Sequence, residues 1–376
     1  MAAMAGKRVL HLGPLHSIHL RRSAELTREV GWEPHVAGHV QPGLAPVDFA
    51  GAADSVRTAP APRPPFATPV RVAWLRRLAR ELQPDVVHAH GPASWGFVAA
   101  LARLHPLVVA AWGSDVYLLQ GRHRRFASFA LRRADRALGP SPHLTRALSA
   151  LGADPALCDH VDWGVDLERF RPLPGEEARA ARERLGLGHG PVVFSFRGGY
   201  PIYNLPTVVE AFSLLRAQVP DARLLVAHGA VPIDPAVAEP LARLEREGAV
   251  VLLGNVPPER MTECYAAATV GISIPSSDGS PRSVWESLAC ELPLVLSDLP
   301  QLAERVAELP AVRLVPREPR AVADALAELV RLRENGVGRT GREWVAAHMD
   351  HRDHAARLRR VYEDLTGVAG RSSGAR

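Results

Sequence analysis

The sequence predicts an α/β protein of two domains, each built on a parallel sheet. Its 376 residues exceed the roughly 250–300 residues at which a single hydrophobic core stops growing. Hydrophobic residues make up 47% and charged residues 23% of the chain, and these are values of globular domains. Short apolar runs alternate with longer amphipathic runs, a pattern typical of parallel strands joined by helices.

The first domain is placed at residues 1–172. Residues 41–69 are rich in proline and alanine without periodicity, so we expect a variable surface loop there. The predicted strands cover residues 8–12, 33–37, 85–89, 107–111 and 134–138, and the predicted helices cover residues 18–30, 72–82 and 142–150.

The second domain is placed at residues 173–345. A closing helix is expected near residues 346–366, followed by a disordered tail at residues 367–376. The predicted strands cover residues 192–196, 224–227, 250–252, 270–274 and 294–297, and the predicted helices include residues 284–290 and 345–365.

The charge pattern excludes one class of chemistry. The net charge is +5, and Lys7 is the only lysine of the chain. A catalytic Schiff-base lysine would therefore lie at the extreme N-terminus, which argues against a pyridoxal-phosphate enzyme. Arginine instead offers a planar fork that suits phosphate. The cysteines show no metal-binding spacing, so we expect a reducing compartment and no metal site.

The chain lacks an apolar run of about 18 residues, so a cytoplasmic protein is expected. Residues 71–80 and 122–136 interleave arginines with apolar residues. The favoured interpretation is a solvated helix face with an apolar core stripe. The alternative is peripheral contact with anionic lipid at the inner face of the membrane.

Residues 275–298 carry the strongest motif of the sequence. A buried strand is followed by a polar loop with Asp278, and then by a helix that contains Glu286. Seven residues separate the two acids, so both can approach one ligand at the start of the helix. A capped helix start in any doubly wound sheet would also use Ser, Asp and Pro here.

This pattern resembles the retaining family-4 glycosyltransferases (glycosyl transferases group 1) with the GT-B fold. The resemblance implies two Rossmann-like domains that face each other across a cleft, with a C-terminal helix crossing back to the first. It also implies that Asp278 holds hydroxyls of the donor sugar and that Glu286 binds the nucleotide ribose. Asp278 stands where the family more often has Glu.

A second loop resembles the family's diphosphate site. Arg197 matches the family's arginine, but Tyr203 stands where a lysine is usual, and Arg282 or an arginine of the first domain is a candidate substitute. A surface loop arginine is the alternative for Arg197. The resulting catalytic set is Asp278, Arg197 and Asp115, and the donor-binding set is Glu286, Gly279, Ser280, Pro281, Arg282, Gly198, Tyr203 and Asn255.

The first domain is expected to bind the acceptor. His16 and His19 follow the first strand, and His90 ends another strand. Trp112 and Asp115 belong to a Trp-Gly-Ser-Asp segment that resembles the family's His-Gly-x-Asp segment. Trp112 either stacks on a sugar or fills the core, whereas Asp115 is expected to line the cleft.

The resemblance implies retaining glycosyl transfer from a nucleoside-diphosphate sugar to a hydroxyl of a small-molecule, glycan or lipid-linked acceptor. No metal cofactor is expected because the chain has no Asp-x-Asp triplet, although the missing lysine leaves room for Mg²⁺. Two alternatives stay open, a nucleotide-sugar 2-epimerase of the same fold and a degenerate, non-catalytic homologue. Nucleic-acid binding is not expected because no such motif accompanies the arginines. The sequence does not predict an oligomeric state.

Overall fold

The computed structural model describes residues 6–62, 66–197, 199–229 and 233–367. The chain divides into two compact units. Unit 1 contains residues 1–163 and 352–376, and unit 2 contains residues 164–351.

Unit 1 is built on a parallel seven-stranded sheet of order β3-β2-β1-β4-β5-β6-β7. Its central strands are buried along their whole length because helices cover both faces of a parallel sheet. The strands are β1 (Arg8–Pro14), β2 (Glu33–His39), β3 (Ser55–Thr58), β4 (Val86–His90), β5 (Leu107–Ala110), β6 (Arg136–Gly139) and β7 (Cys158–His160).

Side-chain caps begin two helices of unit 1. Ser17 accepts a hydrogen bond from the backbone N–H of His19, and Ser141 accepts one from Leu144. The helices are α1 (Ile18–Glu29), α2 (Ala67–Leu82), α3 (Phe97–Ala102), α4 (Ser114–Tyr117), α5 (Gly121–Leu131) and α6 (Pro142–Ala150), with a π-helical turn at Gly91–Gly96 and a 3₁₀ turn at Pro155–Leu157.

Unit 2 is built on a parallel six-stranded sheet of order β10-β9-β8-β11-β12-β13. The strands are β8 (Val192–Ser195), β9 (Arg223–Val226), β10 (Val250–Leu252), β11 (Val270–Ser273), β12 (Leu294–Ser297) and β13 (Val312–Val315). The helices are α7 (Gly175–Arg184), α8 (Leu205–Gln218), α9 (Pro235–Arg246), α10 (Met261–Ala267), α11 (Arg282–Ala289), α12 (Pro300–Val306), α13 (Pro319–Leu332) and α14 (Gly338–His348), with 3₁₀ turns at Pro201–Tyr203, Pro258–Arg260 and Arg333–Asn335.

Both sheets reverse their strand order between their first and fourth strands. In unit 1 the reversal lies between β1 and β4, and in unit 2 it lies between β8 and β11. Loops that leave the carboxyl ends of two such strands diverge to opposite sides and leave a crevice, where open α/β sheets bind ligands. The predicted α/β fold class, with two Rossmann-like sheets, is therefore confirmed.

The C-terminal region differs from the single predicted helix at residues 345–365. Helix α14 ends at His348, and α15 (His351–Leu365) follows it and packs in the core of unit 1. The interruption has a backbone cause. Val165 donates its N–H to the carbonyl of Met349 at 2.6 Å, and its own carbonyl accepts from His351 at 3.1 Å.

These bonds also place the border between the units. Val165 and Phe170 are buried in the core of unit 2, so the segment from residue 164 belongs to unit 2, whereas the sequence-based border was residue 172. The predicted tail lies, from residue 368 onward, outside the described residues.

Two surface features bear on the sequence predictions. Strand β3 pairs with β2 inside the segment expected to be a loop, residues 41–69. In α2 and α5 the apolar residues Leu75, Leu78 and Leu131 are buried, while most of the arginines are exposed. None of the helices in the described part of the chain combines the length and apolar character needed to cross a bilayer.

Candidate active site

Arg197 and Asp278 meet at the carboxyl edge of the unit 2 sheet. Arg197 follows β8 and Asp278 follows β11, and these strands are neighbours although the two residues are 81 positions apart. Arg197 Nη1 donates a hydrogen bond to Asp278 Oδ2, and Nη2 donates to the hydroxyl of Tyr203 at 2.9 Å. The guanidinium also lies over the Tyr203 ring, 4.3 Å from its centroid. Arg197, Asp278 and Tyr203, which were all predicted from the sequence as site residues, therefore form one contact group.

This ion pair is largely buried, since the side chains of Arg197 and Asp278 are only 19% and 10% exposed. Burial by itself lowers the pKa of Arg197, but the Asp278 carboxylate and the Tyr203 hydroxyl outweigh it and raise that pKa above its ordinary value. Arg197 is therefore a fixed positive charge. Removing one member of such a pair costs roughly 3–5 kcal/mol because the other charge is left uncompensated.

The loop that carries Asp278 is held by amide side chains. Asn204 Nδ2 donates to the carbonyl of Ile274 at 2.7 Å and to Ser276 Oγ at 3.0 Å. Gln301 Nε2 donates to the backbone carbonyl of Asp278. The loop of Asp278 is thus held from two sides, because Arg197 and Asn204 come from the segment between β8 and α8 and Gln301 comes from α12.

Glu286 lies inside α11 and is 6% exposed. Arg282 Nε lies 2.7 Å from Glu286 Oε1, but its N–H does not point along this line, so the contact is an ion pair without a well-formed hydrogen bond. Burial, reinforced by the Glu286 charge, raises the pKa of Tyr265 well above its ordinary value. Arg282 is therefore paired with Glu286 rather than held free as a substitute for the missing lysine.

The start of α11 is organised by Ser280 and Pro281. Pro281 is the N-cap residue and provides no side-chain hydrogen bond to the first turn. Ser280 Oγ accepts from Trp285 Nε1 at 2.8 Å and from Arg305 Nη1 at 3.3 Å. The guanidinium of Arg305 lies 4.5 Å from the Trp285 ring centroid. Gly279, Ser280 and Pro281 are buried, so this turn is fixed beside a second arginine.

Two serine hydroxyls near Asp278 are left without partners. Ser273 ends β11 and Ser277 directly precedes Asp278, and the Oγ atoms of both are buried with no hydrogen-bond partner among the described residues. Buried polar groups are nearly always hydrogen-bonded in folded proteins. These hydroxyls therefore indicate a place where a polar ligand or water completes the site.

One described member of the predicted donor-binding set, Asn255, does not join this group. Asn255 is exposed in the loop after the edge strand β10, and β9 separates that strand from β8. No hydrogen bond or ion pair among the described residues links Asn255 to Arg197 or Asp278. Gly198 lies outside the described residues.

In unit 1, three of the nominated residues form an aromatic cluster. The Trp112 ring lies 5.3 Å from the His90 ring and 5.2 Å from the His19 ring, measured between centroids. Trp163 also stacks on His19, with its ring centroid 5.0 Å away. The contact of Trp163 with His19 was not predicted from the sequence.

His16 lies apart from this cluster. Its Nδ1 accepts a hydrogen bond from the backbone N–H of Gln41 at 3.3 Å, and its ring packs edge-on against His39 at 6.3 Å. Burial lowers the pKa of His16. The structure thus groups His16 with β2 rather than with His90 and Trp112.

Asp115 closes the turn that follows β5. Its Oδ1 accepts hydrogen bonds from the backbone N–H groups of Trp112 at 2.9 Å and Gly113 at 2.8 Å. Burial raises the pKa of Asp115, and these backbone bonds oppose the rise. Its Oδ2 is buried without a partner among the described residues. One oxygen therefore stabilises the backbone of this turn.

A buried histidine cluster lies at the strand-order reversal of unit 1. His11 on β1 is in register with His88 on β4, and His90 points to the same face two residues later. The ring nitrogens of these three residues approach within 4.8 Å of one another. Burial lowers the pKa of all three imidazoles, that of His88 to about 3. The imidazoles are therefore neutral at neutral pH.

The cluster predicts that acid destabilises the protein. An unfolded histidine takes up a proton below pH 6.5, whereas these three remain neutral in the fold, so stability is complete above pH 6.5 and is lost as the pH falls toward their folded pKa values. Three such groups lower the free energy of unfolding by up to about 4 kcal/mol per pH unit. Urea unfolding at pH 7.5, 6.5 and 5.5 measures this slope.

The matched variants for this measurement are His88→Gln and His123→Gln. His88→Gln should remove about a third of the slope, whereas the exposed His123 serves as a control whose substitution leaves it unchanged. A free energy of unfolding that stays constant between pH 7.5 and 5.5 would contradict the neutral cluster.

Two curated relatives share about a third of their aligned residues with this chain. A D-inositol 3-phosphate glycosyltransferase of Catenulispora acidiphila is 33% identical over 208 residues, covering 52% of this chain and 48% of the relative. A GDP-mannose-dependent alpha-(1-6)-phosphatidylinositol monomannoside mannosyltransferase of Mycolicibacterium smegmatis is 30% identical over 228 residues, covering 57% and 58%. The chain thus spans about half the length of the curated relatives it matches.

Solved structures resemble the chain over nearly its whole length. HepE of Anabaena, in complex with UDP and glucose, has a TM-score of 0.79 at 17% identity and covers 95% of this chain and 100% of its own. Sucrose-phosphate synthase of Thermosynechococcus elongatus has a TM-score of 0.78 at 18% identity and covers 96% and 100%. At such identities the likeness shows the fold.

Two family models match the two halves of the chain. The model described as Glycosyltransferase Family 4 matches residues 17–169, and the model described as Glycosyl transferases group 1 matches residues 191–331. Together they span about three quarters of the sequence. The chain therefore belongs to the family-4 glycosyltransferases, and its two parallel-sheet units have the GT-B fold.

Proposed function

We propose that this protein transfers a glycosyl group from a nucleoside-diphosphate sugar to an acceptor hydroxyl, with retention of the anomeric configuration. Unit 2 holds the donor and unit 1 binds the acceptor. The observation that carries this proposal is the buried pair of Arg197 and Asp278, at the crevice edge of the sheet where the signature helix of Glu286 begins.

Arg197 is suited to the donor diphosphate. A guanidinium has five N–H donors, and two of them serve Asp278 and Tyr203 in this structure. The others remain for phosphate oxygens. Negative charge grows on the leaving diphosphate during transfer, and a preorganised charge-assisted contact stabilises it by about 1.5–3 kcal/mol. The uncapped first turn of α11 adds further N–H groups with a favourable dipole.

The two acids serve different parts of the donor. Asp278 Oδ2 is bound to Arg197, which leaves Oδ1 for a hydroxyl of the donor sugar. Glu286 accepts hydrogen bonds from the ribose, with Arg282 as its counter-ion.

Tyr203 orients Arg197 instead of supplying the family's usual second cation. Its hydroxyl and its ring both contact the guanidinium. Arg305, which is held against Ser280, brings another positive charge to the same loop.

We therefore propose that transfer needs no divalent ion. EDTA should leave the rate unchanged, and restoration of a lost rate by Mg²⁺ would contradict this.

The acceptor is proposed to bind against His90, Trp112 and His19 of unit 1. The curated relatives are named for acceptors that contain inositol, so inositol phosphate and phosphatidylinositol belong in the acceptor screen.

Membrane contact is a separate part of the proposal. A lipid-linked acceptor would suit the exposed arginines of α2 and α5, which can contact anionic lipid. Co-sedimentation with phosphatidylglycerol vesicles, but not with phosphatidylcholine vesicles, tests that contact.

A nucleotide screen followed by product analysis tests the proposed function. One nucleoside diphosphate and its sugar should raise the melting temperature in a concentration-dependent way, because binding to the folded state stabilises it. The matching sugar, incubated with acceptor, should give an α- or β-linked product of the same configuration as the donor. Conversion of the donor to a 2-epimer, or binding without any turnover of an acceptor panel, would favour the epimerase or the non-catalytic alternative.

A further inference from the structure

Five buried side chains of unit 1 form one continuous chain of hydrogen-bond contacts. His88 Nδ1 lies 2.7 Å from the hydroxyl of Tyr362, which lies 3.2 Å from Thr27 Oγ1. Thr27 Oγ1 lies 2.8 Å from His11 Nε2, and His11 Nδ1 lies 3.2 Å from His90 Nε2. Every member is at most 3% exposed. The chain therefore links helix α15, through α1 and β1, to the end of β4.

Counting protons shows that this chain has a direction. Burial keeps the three imidazoles neutral by lowering their pKa values, and burial keeps the Tyr362 hydroxyl neutral by raising its pKa. Each of the five groups therefore contributes one proton. Four contacts use four protons, so one proton remains. Neither hydroxyl has another acceptor among the described residues, so the remaining proton belongs to one of the two ends of the chain.

With both hydroxyl protons inside the chain, two arrangements give every contact one proton. In the first, donation runs from His88 to His90, and all three imidazoles carry their proton on Nδ1. In the second, donation runs the opposite way, and all three carry it on Nε2. In both cases one end of the chain is an N–H donor and the other end is a bare acceptor nitrogen.

The residues at both ends of the chain line the same small cavity. His88 Nε2 and His90 Nδ1 are buried without partners among the described residues, and so is Trp112 Nε1. All three residues line a cavity of about 40 Å³. A buried water needs about 10–15 Å³ of such volume and makes about three hydrogen bonds. The cavity thus offers space for one to about three waters, and the residues that line it carry two unpaired donors and one unpaired acceptor.

We propose that this cavity binds ordered water, which connects His88 to His90 and closes the five side chains into a loop of hydrogen bonds anchored on Trp112. One water accepts from Trp112 Nε1 and from the protonated end of the chain, and it donates to the bare end. Tyr362 is then a positioning residue, because its hydroxyl fixes the tautomer of His90 through Thr27 and His11.

A transition-metal ion is the other occupant that three neutral imidazoles suggest. Metal binding needs a free lone pair on each ligand. Both ring nitrogens of His11 are already engaged, by His90 and by Thr27. The hydrogen bonds therefore favour water, and the metal is an outcome of the test.

Nitrogen NMR of protein labelled with ¹⁵N-histidine tests the chain. Long-range ¹H–¹⁵N spectra report the tautomer of each neutral imidazole, and single His→Gln variants assign the three signals. His11, His88 and His90 should show the same tautomer, or the same ratio of the two tautomers. Different tautomers in the unmodified protein would overturn the proposal.

Matched variants show whether the coupling passes through Thr27 and Tyr362. Thr27→Val removes the hydroxyl and should separate the tautomer ratio of His88 from that of His90, whereas Thr27→Ser keeps the hydroxyl and the common ratio. Tyr362→Phe should act like Thr27→Val, and it replaces that variant if Thr27→Val does not fold. Tyr117→Phe is the control, because its hydroxyl contacts His143 outside the chain. Unchanged common ratios in Thr27→Val and Tyr362→Phe would overturn the proposal.

A high-resolution crystal structure and metal analysis test the occupant. Water density within hydrogen-bond distance of His88 Nε2, His90 Nδ1 and Trp112 Nε1 is expected. A dry cavity, or zinc bound in a one-to-one ratio and lost in His11→Gln, would contradict it. None of these measurements uses glycosyl transfer, so their outcome is independent of the proposed function.

Discussion

Replacing Arg197 with methionine should lower kcat/KM for the nucleotide sugar by about 10²–10³-fold, the size of effect seen when one preorganised donor to a developing negative charge is removed. Methionine replaces the unbranched stem of the arginine side chain but has no N–H group to donate to phosphate. Lysine at this position should give an intermediate loss, because it supplies a point charge without the fork that serves Asp278 and Tyr203 together. Steady-state kinetics with the identified donor measures both changes.

Two controls separate catalysis from folding in this experiment. Arg179→Met changes an exposed arginine of α7 in the same unit and should leave kcat/KM unchanged. The double variant Arg197→Met with Asp278→Asn removes both charges of the buried pair. It should recover most of the stability lost in Arg197→Met, but none of its activity. Full activity in Arg197→Met would show that this arginine has only a structural role.

Replacing Glu286 with alanine should weaken the binding of the nucleoside diphosphate by about 10–100-fold, because a hydrogen bond to a charged group contributes roughly 1.5–3 kcal/mol. The expected loss is specific to the ribose. Isothermal titration should show weaker binding of the nucleoside diphosphate and unchanged binding of inorganic pyrophosphate. Arg197→Met, in contrast, should weaken the binding of both.

The controls for Glu286 address its ion pair with Arg282. Glu286→Ala leaves that arginine without its counter-ion, so Glu286→Gln, which keeps the size and one acceptor oxygen, should bind the nucleotide with intermediate affinity. Glu239→Ala changes an exposed acid of α9 and should have no effect. Equal losses for nucleotide and pyrophosphate in Glu286→Ala would contradict a role at the ribose.

Local patterns predicted most of the strands but not β3, β7 and β13, which lie at sheet edges. Buried parallel strands such as β4 are nearly continuous apolar runs, and such runs are recognisable in a sequence. Strand β3 was not predicted because most of its residues are exposed at the sheet edge and its segment is rich in proline. The break between α14 and α15 was also not predicted, because it depends on backbone hydrogen bonds of Met349 and His351 to Val165, which is distant in sequence.

The candidate site was predictable where it depends on one contiguous segment. Asp278 and Glu286 lie on one loop and helix, so their spacing alone indicated that they act on one ligand. The contact between Arg197 and Asp278 depends on the order of β8 and β11 in the sheet, and the anchoring of the loop by Gln301 depends on a helix that follows another strand. Such contacts are set by tertiary structure, which periodicity and spacing do not encode.

The central claim is that unit 2 binds the diphosphate at Arg197 and the ribose at Glu286. A crystal structure with the nucleoside diphosphate bound tests it most directly. The account predicts phosphate oxygens about 2.7–3.2 Å from the guanidinium of Arg197 and ribose hydroxyls at the same distance from the Glu286 carboxylate. A diphosphate bound away from both residues, with the Arg197–Asp278 pair unchanged and without contact to the ligand, would contradict it.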